Sequence, residues 1–247
     1  MKMSCNAIWL ASALLVSGNV LAEDKKAEEK SPWTSAVELG FIRTTGNTET
    51  QTSALKADVV YEVDKWRHTG HAEGYGTESE DTAGNNIVSA ERYQLSGKSD
   101  YKFNEFDYIF GLVELNKDRF SGFEYEHKVS AGYGRKVIKQ EEMELDLEIG
   151  PGIRFFKIDG GESDDESLLR LAGKYWWQIS PNSKFTQDLS VDIGGDITST
   201  ESITGIQANI NSTLALKFTY TIRNKSEVPV NTEKTDTELA MTLVYTY

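Results

Sequence analysis

Apolar and polar residues alternate along most of the chain from Trp33 onward. In residues 239–247, Leu, Met, Leu, Tyr and Tyr stand at every second position. Residues 143–155 show the same period, with Glu and Asp opposite a face of Met, Leu, Ile and Phe. A period of two places successive side chains on opposite faces of a β-strand. The pattern predicts strands that each have one apolar and one polar face.

Twelve segments can be drawn in this way, and most have 10 to 14 residues. Globular strands usually have ~5–6 residues, whereas a tilted transmembrane strand needs ~9–11. Segments 66–77 and 107–119 show weak contrast between their faces, which leaves a count of ten strands open. The segments are 33–43, 50–63, 66–77, 89–103, 107–119, 124–138, 143–156, 168–178, 185–197, 202–210, 213–223 and 235–247.

The connections between these segments alternate between short turns and mostly longer polar loops, such as 64–65 against 78–88. This alternation is typical of outer-membrane barrels, in which short turns face the periplasm. Every backbone N–H and C=O needs a partner in hydrocarbon, so the last strand must pair with the first. We therefore predict an all-β fold: a transmembrane, antiparallel, up-and-down β-barrel of twelve strands.

The N-terminus reads as a secretory signal peptide over residues 1–22. Lys2 is followed by an apolar run from Ala7 to Val16, and the end at Ala22 fits a cleavage site. Residues 23–32 lack apolar periodicity and are interpreted as a flexible linker. The barrel then occupies residues 33–247.

Aromatic residues cluster near the predicted strand ends, where a barrel has its interfacial girdles. Tyr245 and Tyr247 end the last strand and are predicted to act as a membrane-insertion signal. The girdle residues are Tyr61, Trp66, Tyr101, Phe103, Phe106, Tyr108, Trp177, Phe185 and Tyr245 near the turns, and Phe41, Tyr75, Phe120, Phe123, Phe155 and Phe156 near the loops.

Composition alone indicates a soluble protein, with 38% hydrophobic residues, 26% charged residues and a formal charge of −13. This average mixes the two faces of each strand. It excludes a polytopic helical membrane protein, because no apolar window of about 20 residues lies beyond the N-terminus. The acidic balance argues against nucleic-acid binding. A single cysteine excludes a disulfide scaffold and a multi-cysteine zinc site.

Charged residues dominate the face that is predicted to line the lumen, and their sign tends to alternate between neighbouring strands. One interpretation is a salt-bridged lattice that fills the interior and fixes the register. The other is a charged pore wall that selects solutes. Twelve strands do not decide between a filled and an open barrel. The residues are Lys128, Lys136, Glu144, Asp146, Glu148, Arg154, Arg170, Lys174, Asp188 and Asp192.

Other candidate chemistry is weaker, and neither a metal nor a cofactor is predicted. The acidic segment 159–166 offers oxygen ligands for calcium but lacks the spacing of a known loop. His68 and His71 are three apart on a strand and therefore face opposite sides. Ser121 and His127, with Asp118 or Glu124 nearby, can be written as a hydrolase set.

Six short stretches resemble the YdiY-like family of salt-induced outer membrane proteins, whose domain has no assigned function. The resemblance covers about Trp33 to Tyr247 and implies an outer-membrane β-barrel. It implies no reaction, ligand or catalytic residue. The stretches are Gly46–Thr50, Glu91–Tyr93, Asp118–Gly122, Ser130–Gly134, Gly150–Gly152 and Thr232–Thr237.

From these features we expect an integral outer-membrane barrel without enzymatic activity, either a narrow channel or a structural protein, linked by its family to salt or osmotic response. Its expected partners are outer-membrane lipid and, during biogenesis, the secretion and β-barrel assembly machineries. We expect a monomer that does not bind nucleic acid. The alternatives are an outer-membrane hydrolase and a soluble periplasmic barrel that binds an apolar ligand.

Overall fold

The computed structural model describes residues 31–44, 50–80, 86–119, 121–229 and 232–247. The predicted signal peptide and nearly all of the predicted linker lie outside these residues, and so does the start of the family-like stretch at Gly46. The barrel is one compact unit from Pro32 to Tyr247.

Twelve long strands make up this unit. They are β1 (Trp33–Thr44), β2 (Thr50–Val63), β3 (Trp66–Glu80), β4 (Asn86–Lys102), β5 (Asp107–Asp118), β6 (Phe123–Lys139), β7 (Met143–Ile158), β8 (Ser163–Ser180), β9 (Ser183–Gly194), β10 (Thr198–Asn209), β11 (Leu214–Lys225) and β12 (Thr235–Thr246).

The strands follow one another around a single closed barrel, each antiparallel to its neighbours. Closure is made by β1 and β12, which pair from Ala36↔Thr246 to Leu39↔Leu243. Ser35 and Tyr247 extend this seam with two backbone hydrogen bonds of 3.0 and 2.9 Å. The predicted twelve-stranded, up-and-down barrel is confirmed. The end with turns such as 64–65 is called the turn end, and the opposite end, with connections such as 226–234, the loop end.

The barrel is apolar outside and charged inside, the reverse of a soluble protein. Leu39 is 59% exposed, whereas its neighbour Glu38 is 4% exposed. An apolar surface that surrounds a closed sheet requires a bilayer, which excludes the soluble alternative. Within the described residues, no helix has the length and apolar character that crossing a membrane would require. The buried inner charges are Glu38, Lys56, Glu73, Asp100, Glu114, Glu126, Lys128, Asp146, Arg154, Glu166 and Asp192.

The strands run further into the predicted loops than the alternation indicated. β8 begins at Ser163 rather than at 168, so the supposed acidic loop 159–166 is only 159–162. Glu166 is 8% exposed and lies in the interior, paired with Arg154. Glu166 is therefore unavailable as a calcium ligand in a loop, because its carboxylate pairs with Arg154 inside the barrel. In the described part of the chain, no three His, Cys, Asp or Glu side chains are grouped to hold a metal.

Several predicted girdle aromatics do lie on the outer face, and others do not. Four of them are 40–51% exposed on the outer face near the turn end: Trp66, Phe103, Trp177 and Tyr245. The prediction was wrong for four residues that point into the barrel: Tyr75, Tyr108, Phe123 and Phe156. Phe120 and the side chain of Phe41 lie outside the described part.

The inward position of Tyr108 is fixed by a glycine on the next strand. β5 is apolar on both faces near this residue, so its pattern did not indicate which face is inside. A Cβ at Gly134 would lie 2.3 Å from the Tyr108 ring, so the ring occupies the place of a missing side chain. The Tyr108 hydroxyl donates to Glu148 Oε1 at 2.7 Å. An aromatic ring is thereby held inside the charged lumen.

Candidate functional site: the charged interior

All ten lumen charges that were singled out from the sequence lie on the inner face of the sheet. Eight of them have an ion-pair partner within 4.0 Å among the described residues, and Lys174 and Asp188 do not. Four of the nine pairs link strands that are not adjacent, and five link neighbouring strands. The register places Lys128 beside Arg154, two like charges, and each reaches away to acidic groups elsewhere.

Four of the inner side chains form a closed quartet that spans five strands. Lys128 Nζ lies 2.7 Å from Asp192 and 3.6 Å from Glu114. Arg170 Nη1 lies 3.0 Å from Asp192 and 3.3 Å from Glu114. Each base contacts both acids, so the charges cancel within the group. The four side chains are 2–11% exposed, which means that they fill the space between β5 and β9 rather than line an open bore.

Arg154, on β7, has 0% exposure, a value that it shares with Asp100 among the described charges. Its guanidinium pairs with Glu166, lies 3.6 Å from Glu126, and donates to the Ile197 carbonyl at 2.8 Å and to Ser199 Oγ at 3.0 Å. The guanidinium is planar and has five N–H donors, so it can bind acceptors that come from different strands. The residue therefore ties β7 to β6, β8 and β10.

A second network fills the turn-end half of the lumen. Lys98 pairs with Glu148 and lies 3.1 Å from Asp100. Asp100 also accepts from Arg67 at 2.7 Å. Lys98 and Arg67 both lie over the Tyr108 ring, at 5.2 and 5.3 Å from its centroid. Both cations thus make cation–π contacts with the same ring.

Other pairs cross the barrel between distant strands. Arg92 on β4 lies 2.8 Å from Glu238 on β12. Lys225 on β11 lies 2.6 Å from Glu126 on β6, five strands away around the barrel. A side chain can reach that far only if the lumen is narrow at this height.

Lys136, Glu144, Lys174 and Asp188 lie nearer the turn end. Lys136 pairs with Glu144 at 2.6 Å. Lys174 stands between Asp146 and Asp188 in the register but is exposed, and it forms no ion pair with a described residue. One carboxylate oxygen of Asp188 is buried without a hydrogen-bond partner. At this height Lys174 and Asp188 therefore lack an ion pair with a described residue, although the Lys98 network and the Lys136–Glu144 pair lie nearby.

An open chamber lies above the quartet, at the loop end. It has a volume of about 130 Å³, and Glu114, Lys128 and Asp192 form its floor. Arg92, Gln94, Asn116, Glu126, Ser190, Glu201, Arg223 and Lys225 line its wall.

The described residues of the connection between β11 and β12, 226–229 and 232–234, lie across the mouth of this chamber, and we call them the strap. The strap leaves β11 and enters β12, while Gly122, between β5 and β6, lies on the opposite side of the barrel. Gly122 has φ +76°, and a Cβ there would meet Pro229 Cγ and Thr232 Oγ1 at 2.9 Å. Lys225 Nζ, at the base of the strap, lies 4.0 Å from the centroid of the Phe123 ring. These contacts hold the strap against the far wall.

Several charges of the interior were not among the residues predicted from the sequence. Glu73, Arg92, Lys98, Glu114, Lys225 and Glu238 join the interior networks. Period two could have found Lys98, Lys225 and Glu238 as inward positions. Glu114 is hidden because it ends an apolar run, and Glu73 because β3 is rich in Gly and Ala.

The residues written as a hydrolase set are not brought together. Ser121 Oγ donates to the Asp118 carbonyl at 2.9 Å and lines the chamber. His127 lies on the outer face, where its ring stacks on Tyr125 at 4.9 Å. Tyr245 and Tyr247 lie at the closing seam, and their side chains are 48% and 88% exposed.

Comparison with known proteins agrees with the sequence resemblance, which is confirmed. A family described as "Protein of unknown function, DUF481" matches residues 37–247. The uncharacterized protein YdiY of Escherichia coli (strain K12) is 30% identical over 246 residues, which is 96% of this chain and 95% of that relative.

Solved structures share the fold at low identity. The COG4313 outer membrane channel from Pseudomonas putida F1 has a TM-score of 0.51 and 13% identity, over 93% of this chain and 100% of that one. The NanC porin has a TM-score of 0.52 and 11% identity, over 85% of this chain and 98% of that one. The fold is that of outer-membrane channels and porins.

Proposed function

We propose that this chain, which belongs to the DUF481 family of proteins of unknown function, is an outer-membrane barrel whose lumen is closed at rest by ion pairs. One observation carries the proposal: the quartet of Glu114, Lys128, Arg170 and Asp192 fills the lumen between β5 and β9. The barrel then passes ions only when the quartet separates, so it is a narrow, intermittently open channel rather than a porin with a constant pore.

Electrostatics supports closure by charge rather than by apolar packing. Ion pairs with side chains 2–11% exposed are screened far less than surface pairs. Removing one partner of a buried ion pair leaves the other charge without compensation, which lowers the stability of the folded protein. Concerted separation with entry of water avoids that cost. A charged closure can therefore open to water without exposing apolar surface.

Recordings from the refolded protein in planar lipid bilayers test this proposal. The wild type is expected to be silent or to show rare, small openings. A neutral quartet with Glu114→Gln, Lys128→Met, Arg170→Gln and Asp192→Asn keeps similar volumes but loses the attraction, so openings become more frequent. The control is Lys139→Met with Glu105→Gln, which removes an exposed pair at the turn end. Large, constant openings in the wild type that the neutral quartet leaves unchanged would refute the closed state.

We also propose that export and assembly follow the predicted signals. The chain is cleaved after Ala22, and Tyr245 and Tyr247 direct insertion by the assembly machinery, giving a monomer in outer-membrane lipid. The outward exposure of both tyrosines at the seam supports this role. Mass spectrometry of the protein from outer-membrane fractions should give an N-terminus at Glu23, and any other N-terminus contradicts the assigned site.

The proposal includes no hydrolytic activity. The absence of hydrolytic activity is supported by the positions of two residues: Ser121 lines the chamber, whereas His127 faces outward. Phospholipid hydrolysis should be absent in the purified wild type. Hydrolysis that Ser121→Ala abolishes would replace this proposal with the enzyme.

A further inference from the structure

The chamber above the quartet is lined by residues of seven strands and of two loop-end connections. Three members of the quartet, Glu114, Lys128 and Asp192, form its floor, its wall comes from β4–β6 and β9–β12, and described residues of the strap lie at its mouth. Its volume of about 130 Å³ is comparable to the engineered ~150 Å³ cavity that takes up one benzene molecule. Unlike that cavity, it is lined mostly by polar and charged residues and opens to solvent. The size suits a solute of about one six-membered ring.

The deep cations of the chamber wall are already neutralised by the protein. Arg92 pairs with Glu73 and Glu238, Arg223 lies 2.7 Å from Glu201, and Lys225 lies 2.6 Å from Glu126. A charged solute would have to separate these pairs to reach a counterion. Asp236 and Glu233 carry no ion pair with a described residue, but both are exposed at the rim, where salt screens them. The wall therefore offers little attraction to a solute with a net charge.

Neutral hydrogen-bonding groups of the same wall remain open. Gln94 on β4 and Asn116 on β5 are direct register partners, so their amides lie side by side. Ser190 lies on β9, on the other side of the chamber. None of the three side chains makes a hydrogen bond to a described protein atom, although each lines the cavity. Half-buried polar groups are hydrogen-bonded in native proteins, so these groups bind water or a ligand.

We propose that the chamber is a binding site for a small, neutral, hydroxyl-rich solute, a polyol or a monosaccharide. The paired amides of Gln94 and Asn116 supply adjacent donors and acceptors, which match vicinal hydroxyl groups. Ser190 supplies a further contact from the opposite side. The ion pairs around them stay intact, so binding does not require the lumen to open. The proposal thus goes beyond the closed channel and holds whether or not the quartet conducts.

Saturation-transfer NMR on the refolded full-length protein tests the site, in a detergent without a sugar headgroup. The probes are myo-inositol, gluconate and choline at equal concentration. Myo-inositol is expected to bind, and the two ions are expected not to. The double variant Gln94→Ala with Asn116→Ala should weaken myo-inositol binding by about tenfold or more. Gln207→Ala is the matched control, because Gln207 is an inward amide outside the chamber that bonds to Asn209.

Each other outcome overturns the proposal. Binding of choline or gluconate without myo-inositol would assign the chamber to an ion. Equal myo-inositol binding in the double variant would place the site elsewhere, and no binding of any probe would reduce the chamber to a hydrated vestibule. Folding of each variant is checked by its mobility before and after boiling. The single variants Gln94→Ala and Asn116→Ala repeat the test if the double variant does not fold.

Discussion

At the scale of single residues, this barrel depends on charged side chains as other proteins depend on an apolar core. Arg154, at 0% exposure, is held by two carboxylates, a carbonyl and a hydroxyl. A buried pair contributes less than its Coulomb attraction, because both charges lose hydration. Loss of one partner is different, since the remaining charges stay buried. Removal of Arg154 leaves Glu126 and Glu166 close together without it.

We predict that Arg154→Met destabilises the barrel by about 3–5 kcal/mol, the usual cost of breaking a buried pair. Urea unfolding in lipid vesicles measures the change. The matched control is Arg119→Met, because Arg119 is exposed and pairs with Glu91 at 3.3 Å. Its cost should stay within about 1 kcal/mol. Similar values for the two variants would mean that the interior is hydrated around Arg154.

The contact of Tyr108 with Gly134 gives a second prediction at this scale. Gly134→Ala places a methyl group 2.3 Å from the ring, and overpacking of this kind costs about 1–3 kcal/mol. Gly97→Ala is the control, because no atom lies within 4 Å of a Cβ at that glycine. Midpoints of urea unfolding compare the two. Equal stability would show that the ring moves aside freely.

At the scale of the strands, the seam between β1 and β12 is the shortest ladder among the described pairs. It runs from Ala36↔Thr246 to Leu39↔Leu243, whereas β1 pairs with β2 from Trp33 to Thr44. Closure therefore depends on few backbone contacts, aided by side chains. Glu38 accepts a hydrogen bond from Thr242 at 3.1 Å and pairs with Lys217 of β11 at 2.6 Å.

We predict that Ala36→Cys with Thr246→Cys forms a disulfide across the seam, because directly opposed residues lie within the Cα range of ~4.4–6.8 Å. Cys5, the single native cysteine, lies in the proposed signal peptide, so a protein that starts at Glu23 has no other thiol. Mobility on a non-reducing gel reports the closed ring. The control Ala36→Cys with Val244→Cys is offset by two residues, at ~7–8 Å, and should not crosslink. Preferential crosslinking of the offset pair would show a shifted register.

Alternation predicted the strands well because a bilayer on one side and charges on the other give each position a definite face. β7 was expected over 143–156 and runs to Ile158. The same rule failed at β8, where Ser163–Ser167 is polar on both faces and was read as loop. It also left Tyr108 on the wrong side, since β5 is apolar on both faces.

The partners of the inner charges could not be predicted in the same way. The alternation of inward and outward positions assigns Lys128 and Asp192 to the lumen. Their pairing also depends on the height of each residue along the barrel axis and on the curvature of the sheet. β7 and β8 lie between them. Neighbouring strands were expected to carry opposite charges, yet Lys128 stands beside Arg154. The chamber depends on the strap reaching Gly122, a contact between distant loops that no local pattern contains.

At the scale of the whole molecule, the apolar outer face of the barrel requires that the protein be embedded in a bilayer. Trp177 is 40% exposed on the outer face, whereas its neighbour Trp176 faces the interior with Lys184 over its ring at 4.8 Å. Adjacent residues of one strand therefore sample lipid and lumen. These two tryptophans therefore report whether the outer face of the barrel contacts lipid.

We predict that lipids with brominated acyl chains quench the fluorescence of Trp177 and leave that of Trp176 nearly unchanged. Two single-tryptophan proteins are compared in vesicles, with Phe at every other tryptophan position. Tryptophan at a lipid-facing position contacts acyl chains or their boundary, whereas an inward ring is shielded by the sheet. Equal quenching of the two proteins would contradict the assigned faces.

The ion pairs that cross the lumen also set the order of events during biogenesis. Arg92 and Glu238 are 146 residues apart in the chain, and Glu38 and Lys217 are 179 apart. The first pair includes a residue of β12, and the second joins β11 to β1 across β12, so neither pair forms before the ring closes and both partners stay hydrated while the sheet is open. Their formation then coincides with ring closure and acts as a latch on the finished product. Reopening must break these pairs together, which slows unfolding more than it slows assembly.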